Sequence, residues 1–346
     1  MPGYTLPERL LHRLVLGGRA VGELAFEIDR ALARPAPATD GAHVFVAGLA
    51  RAGTTVLMRR ILDSGAFRSL TYADMPFVLA PNLWRRLRGG RAGAATVEER
   101  AHGDGLTVTT DSPESLEEVF WRVFDGPAYI GVDALHPHAP DDALIARYRH
   151  YVGAILASGG TTRYLSKNNN NILRLPSLAR AFPRATILIP FRRPLDHAAS
   201  LRRQHRRFAA LHRQDRFARD YMGWLVHHEF GGDQRPFATH PPVSGGPDTL
   251  AYWLGQWVGV HRWLLAQAPD DALFVSHEAL CREPGCWRAL ARRLDIAEHG
   301  AGAAPDFAPR PPAETGDAPL PPGLVAEAEA LHARLCRRVQ GHAAAS

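Results

Sequence analysis

A three-layer α/β fold (αβα), with a mostly parallel central sheet between two layers of helices, is predicted by three observations. Short apolar runs rich in β-branched and aromatic residues recur at 43–48, 163–166, 185–191 and 272–276, and such runs read as buried strands. Segments of helical period lie between them, and strands alternating with helices wind into a parallel sheet. The chain has 346 residues, 46% of them hydrophobic, which is ample for a large core.

Residues 7–33 place Leu10, Leu11, Leu14, Val21, Leu24 and Ile28 at helical spacing, an amphipathic arm that Pro35 and Pro37 end. The run 43–48 is the strand expected at the sheet centre. Residues 54–64 continue as a helix with Val56, Leu57, Ile61 and Leu62 on its inner side, stopped by Gly65. Glycine breaks make 86–112 a loop. Helices follow over 115–124, 141–158, 172–182 and 195–211, with strands at 163–166 and 185–191 between them. A Gly- and Pro-rich loop spans 231–247. A Trp-bearing helix (250–265), a strand (272–276) and a helix (285–294) complete the alternation. This divides the chain into a helical arm (1–38), a central α/β domain (39–300), and a proline-rich segment with a terminal helix packed on that domain (301–346). There are no internal repeats.

Net charge is +6 and the sequence pI is about 9.6, with arginine far outnumbering lysine. Guanidinium forks suit oxyanion ligands. Three cysteines (Cys281, Cys286 and Cys336) build no disulfide framework and have no zinc-site spacing. The first 30 residues are interrupted by charges and no window of about 18 apolar residues occurs. The expectation is a soluble cytoplasmic protein without signal peptide or membrane span.

The strand at 43–48 runs into Gly48-Leu-Ala-Arg51-Ala52-Gly53-Thr54-Thr55 and then a helix. Glycines let a backbone curl around an anion, and the helix N-terminus adds roughly half a positive charge. Alone this is a common strand-to-helix turn. Its spacing satisfies G-x-x-x-x-G, but Thr54 stands where a nucleotide triphosphatase needs lysine. Arg-x-Gly-Thr-Thr after a central strand resembles the 5′-phosphosulfate loop of sulfotransferases that use 3′-phosphoadenosine 5′-phosphosulfate (PAPS). The commonest form has serine where Ala52 stands.

That resemblance implies a P-loop-like fold and a second strand ending in Arg-x-Pro, with serine eight residues after the arginine. Arg192-Arg193-Pro194 follows ATILIPF, and Ser200 is in register. In the family this pair grips the donor's 3′-phosphate, where a guanidinium and a hydroxyl near a helix start meet a divalent anion. Arg193 replaces the more usual Asp or Asn. A third match is His277-Glu278-Ala279-Leu280 before Pro284, which resembles the family's Tyr-Glu-Asp-Leu. His277 departs from the tyrosine, and Glu278 reads as a structural anchor. Together the matches span about 43–295.

Sulfuryl transfer needs in-line geometry, cationic stabilisation and a base for the acceptor hydroxyl. The resemblance implies Lys167, one of very few lysines, as the cation at the transferring group, because the family places lysine at this strand end. One of Asn168–Asn171 would cap the next helix. For the base, the glycan and protein-tyrosine branches use a glutamate after the loop helix. Asp74 is the nearest carboxylate, on a segment (70–76) that reads as a short strand; a turn cap is the plain alternative. His102, in the glycine-rich loop, is the competitor. His227-His228-Glu229 makes no zinc motif and reads as helix surface; His197 and His205, eight apart on the arginine-rich helix, could face the cleft, with surface the plainer reading. Trp253, Trp257 and Trp263 read as core, and Cys281 and Cys286 as idle thiols.

The implied activity is sulfuryl transfer from PAPS to a hydroxyl on a glycan, lipid-linked sugar or small metabolite, without a metal. Arg51, Ala52, Gly53, Thr54, Thr55, Arg192 and Ser200 would bind the donor, with Asp74 and Lys167 catalytic. Two rivals stay open: a P-loop kinase or nucleotidase, and a non-catalytic polyanion- or RNA-binding protein using the arginine-rich helix. No aromatic-rich recognition motif accompanies that helix, so nucleic acid is the weaker partner.

Overall fold

A computed structural model describes residues 5–38, 41–89, 98–99, 107–108, 115–298, 307–308 and 319–344. Helices α1 (Leu6–Gly17) and α2 (Arg19–Ala33) lead into β1 (Val44–Val46), α3 (Thr54–Leu62) and β2 (Phe67–Arg68). A 3-10 turn (Tyr72–Asp74) and α4 (Pro81–Leu87) precede an antiparallel pair, β3 (Glu98–Glu99) with β4 (Thr107–Val108). Then come α5 (Glu118–Tyr129), α6 (Asp142–Ala157), β5 (Arg163–Lys167), a second 3-10 turn (Asn169–Leu173) and α7 (Leu175–Ala181). Strand β6 (Thr186–Phe191) feeds α8 (Pro194–Gln214), α9 (Arg216–Trp224) and α10 (Leu250–Gln267). Strand β7 (Leu273–Ser276), α11 (His277–Arg282), α12 (Pro284–Arg293) and α13 (Pro322–Ala344) complete the chain.

The main sheet is parallel throughout, in the order β2-β5-β1-β6-β7. Residue alternation divides its side chains between two cores. Val44, Val46, Leu165, Leu188, Leu273 and Val275 pack beneath α3 and α12, against Leu57, Ile61, Trp287 and Leu290. Phe45, Tyr164, Ile187, Ile189 and Phe274 face the larger core, which α5, α6, α8 and α10 cover. Burial on both faces explains why these strands read as continuous apolar runs. The three-layer architecture is therefore the one expected. Strand β1 lies between β5 and β6, where successive connections leave in opposite directions, and ligands in such sheets bind at that switch point.

The local differences have physical causes. The N-terminal arm is two helices, parted where Gly18 is extended (φ −105°, ψ 125°). Its expected inner face is only partly inner: Leu10, Leu14 and Leu24 are exposed, and Val15, Leu16, Ala25 and Phe26 are buried. Phe26 wins because it enters an aromatic cluster with Phe120, Phe124 and Tyr151. Asp29 on the same face accepts hydrogen bonds from Asn82 Nδ2 and the Leu83 N–H. The helix expected at 172–182 is split at Arg174 (φ −142°, ψ 24°), whose guanidinium turns inward. The segment 70–76 holds the first 3-10 turn, and the short strand lies earlier, at β2. Helix α13 packs on α10 and β7. Among the described residues no helix is long and apolar enough to cross a membrane.

Candidate active site

The chain leaves β1 at Val46 and enters α3 at Thr54 through two left-handed residues, Arg51 (φ 71°) and Gly53 (φ 85°). Such residues curl a turn into an anion-binding nest. Glycine meets this at no steric cost, whereas a β-carbon at 53 would come 2.6 Å from His277 Nδ1. A β-carbon at Gly48 would come 2.9 Å from the Pro190 carbonyl, so the loop's first residue is pressed against β6. Ala52 and Thr54 are buried; Ala52 donates its N–H to the Leu49 carbonyl (3.3 Å).

The parallel pairing of β1 with β6 brings the second arginine turn beside the first. Arg192 Nη1 donates to the Arg51 carbonyl at 3.2 Å, across 141 residues of sequence. Arg51 Nε donates to Ser200 Oγ at 3.4 Å, and both Arg192 and Ser200 are buried. His197 is not surface: it is fully buried, and its Nε2 bonds the Ala50 carbonyl at 2.8 Å. Burial first, then the Arg192 charge, holds it well below the usual histidine range. Its Nε2–H ties the loop after β1 to α8. Glu278 accepts the Arg193 N–H at 3.0 Å, an anchor as expected.

Lys167, the chain's single lysine, ends β5 opposite Val46. Its Nζ donates to Ser115 Oγ (2.9 Å), which returns a bond to the Lys167 carbonyl (2.7 Å). Asn168 caps the following turn, its Oδ1 accepting from the Asn170 N–H at 3.1 Å. Its Nδ2 donates to Glu118 Oε2 (2.5 Å), and Glu118 also takes Arg174 Nη1 (3.0 Å) and Nη2 (2.7 Å). Glu118 and Arg174 are fully buried. The strand end carrying Lys167 is thus braced by an internal ion pair.

Asp74 is otherwise engaged. Arg68 Nη2 donates to both carboxylate oxygens (2.7 and 2.8 Å), and Oδ2 also accepts from the Thr71 N–H (2.8 Å) and hydroxyl (3.3 Å). That is the turn cap weighed against catalysis in the sequence. His102 lies outside the described residues.

One cleft adjoins the loop. Its walls include Leu49 and Ala50 from the loop, Leu201 beside Ser200, and Glu229, Phe237 and Trp253. The sequence reading missed Glu229 by placing 227–229 on a helix surface. These residues follow α9 in a loop, where His228 is buried with Nδ1 bonding the Asp233 carbonyl (2.9 Å). Glu229 Oε1 accepts from Asn169 Nδ2 at 2.6 Å. The only cue in sequence was the asparagine tract that follows Lys167. His205 is buried too, its ring 5.7 Å from that of Trp253. Trp257 is core as expected, and the three cysteines are free and half-buried.

Residues 43–297 match the sequence model of the sulfotransferase family. The chain belongs to that family. Among solved structures it is similar to sulfotransferase STF1 of Mycobacterium tuberculosis H37Rv (16% identity, 85% of this chain and 79% of that one, TM-score 0.47). It is likewise similar to STF9 of Mycobacterium avium (15% identity, 96% and 79%, TM-score 0.48) and to a sulfotransferase of Alicyclobacillus acidocaldarius (16%, 86% and 94%, 0.34). Comparison with curated proteins gave no match. As a sulfotransferase the chain is a transferase that takes a sulfonate donor and an acceptor. Among its described residues no group of three or more His, Cys, Asp or Glu could hold a metal ion.

Proposed function

We propose that this sulfotransferase moves a sulfuryl group from PAPS to an acceptor hydroxyl. The observation that carries this reading is the junction of the two arginine turns: Arg192 bonds the Arg51 carbonyl and Arg51 bonds Ser200. One anion site would serve a simple phosphate. Two, side by side, suit a donor with phosphates on both ends of its ribose. Arg51, with the backbone of Ala52 and Gly53 and the hydroxyls of Thr54 and Thr55, takes the 5′-phosphosulfate. Arg192 and Ser200 take the 3′-phosphate.

Transfer is an in-line displacement whose developing charge needs preorganised cations. Lys167 supplies one at the end of β5, beside the loop. The reading requires no metal, since arginine, lysine and the α3 N-terminus supply the positive potential. Asp74, with both oxygens on Arg68, holds the turn after β2, and proton transfer is left to another group. The protein acts in the cytoplasm on a hydroxyl-bearing small molecule or glycan.

The deciding experiment is a thermal-shift titration with adenosine 3′,5′-bisphosphate, the product nucleotide, beside ATP with magnesium and single-stranded RNA. Stabilisation by the bisphosphate alone is expected. No response to it, with a response to ATP-magnesium or salt-sensitive RNA binding, would replace the proposal with a kinase or polyanion-binding reading.

A further inference from the structure

Resting on that donor assignment, we infer that Glu229 takes the proton from the acceptor hydroxyl, and that its cleft receives a hydroxyl carried on an apolar body.

Position comes first. Glu229 shares the cleft with Leu49 and Ala50, which belong to the phosphate loop, and with Leu201, the neighbour of Ser200. An acceptor in that cleft lies against the loop assigned to the phosphosulfate. The second observation is how Glu229 is held. Its Oε1 accepts from Asn169 Nδ2 at 2.6 Å, and Asn169 lies two residues beyond Lys167. The cation at the transferring group and this carboxylate are therefore set by one strand end. Its Oε2 faces His227 Nδ1 at 3.7 Å, an ion pair when that ring is protonated and too long for a hydrogen bond. Asp74 has no comparable freedom, since Arg68 engages both of its oxygens.

The walls speak to the acceptor. Leu135, Leu201, Phe237 and Trp253 make most of the cleft apolar, with Gln234, Arg235 and Gln256 as the polar points beside Glu229. A polyol buried there would leave hydroxyls without partners, each an appreciable penalty. The cleft is small and opens to solvent, so it takes the reactive end of an alcohol or phenol, whose hydrocarbon or aromatic remainder lies along the mouth.

The step balances as follows. The acceptor oxygen bonds to sulfur while its proton passes to the Glu229 carboxylate. The bond between sulfur and the bridging oxygen breaks, and its electron pair leaves with the nucleotide bisphosphate. A sulfate ester forms, and Glu229 returns its proton to solvent.

The test uses the whole protein and its Glu229→Gln and Glu229→Asp variants with radiolabelled PAPS. Acceptors are 2-naphthol, 1-decanol and maltose, with water alone setting the floor. Glu229→Gln should keep the thermal response to the bisphosphate nucleotide and lose about 100-fold or more in kcat, the usual share of a general base. Glu229→Asp should recover part of that, and the two apolar-bodied alcohols should exceed maltose. Turnover by Glu229→Gln within threefold of the parent overturns the base assignment. Maltose outpacing both alcohols, or neither alcohol rising above the water rate, overturns the acceptor class. If Glu229→Gln does not fold, Glu229→Asp decides: an unchanged kcat with higher KM means substrate packing, not proton transfer. Failure of the parent to bind the bisphosphate would count against the donor reading instead.

Discussion

Glu118→Gln tests whether the internal ion pair behind Lys167 positions the site or merely stabilises the fold. Glu118 accepts two bonds from Arg174, one from the Tyr129 hydroxyl (2.5 Å) and one from Asn168 Nδ2 (2.5 Å). The Arg174 guanidinium also lies over the Trp121 and Tyr129 rings, 4.7 and 5.1 Å from their centroids. Removing the charge leaves a buried guanidinium uncompensated, which costs about 3–5 kcal/mol. At about 2.1 cal/mol/K per residue, a chain of 346 residues loses about 1.4 °C per kcal/mol, so Tm should fall by about 4–7 °C. Urea titration checks the free energy, and the slope should not change. Glu118→Leu combined with Arg174→Leu should regain most of the stability, because an apolar replacement of a buried pair is often neutral. It should not regain turnover, since Asn168 still lacks its anchor. A loss below about 1 kcal/mol for the single variant would refute the energetic argument. Full turnover in the stable double variant would refute the positioning argument.

Four further outcomes follow from the same geometry. Arg192→Ala should weaken binding of the bisphosphate nucleotide at least tenfold by calorimetry, about 1.4 kcal/mol, and unchanged affinity would remove Arg192 from the site. Lys167→Ala should keep nucleotide affinity within about threefold and lower kcat about 100-fold, the scale of one preorganised charge; a parallel loss of affinity would make it a binding residue. Gly53→Ala forces a side chain to φ 85°, a strain of about 1–2 kcal/mol. It should abolish the nucleotide thermal shift, with His277→Ala in the same chain restoring part of it because Nδ1 is the atom a β-carbon would strike. His43 and His261 are held down to about 4 by burial, and burial with the Arg192 charge holds His197 well below the usual histidine range. Folded values below unfolded ones mean the stability is intact above about pH 6.5 and lost as pH falls toward 4, by roughly 1 kcal/mol per unit per histidine. Urea midpoints that stay level between pH 7 and pH 5 would contradict this.

Much of the fold was legible because the strands are buried on both faces. Runs such as 185–191 carry their own period and composition, and β6 appears one residue shorter than expected. The arm was harder: Leu10, Leu14 and Leu24 fit a helical stripe as well as Val15, Leu16 and Phe26 do, and only the partner cluster around Phe120 decides. Helix α9 went unread although Phe217, Ala218, Tyr221 and Met222 bury one face of its nine residues, because it follows α8 with only Asp215 between them. Asp74 illustrates the limit for chemistry. Its distance from the loop suggested a base, but nothing local reveals that Arg68 would claim both oxygens.

The two halves of the site also differ in how they are built, which explains why one was readable and the other was not. The proposed donor half consists of two strand-to-helix turns on adjacent strands, and each carries its residues in a short contiguous motif. Left-handed Arg51 stores backbone strain of roughly 1 kcal/mol, which the bonds from Arg192 to Arg51 and from His197 to Ala50 offset. The proposed acceptor half draws Leu135 from the α5–α6 connection, Glu229 and Phe237 from the α9–α10 connection and Trp253 from α10, with Asn169 as the tie between Glu229 and the end of β5. No short motif could announce such a wall, because its members meet only after the sheet has formed. Loops of this kind vary more freely than the strands that carry them. The donor turns are therefore where a change of residue should abolish transfer for every acceptor, and the 226–237 loop is where it should change which acceptor is used.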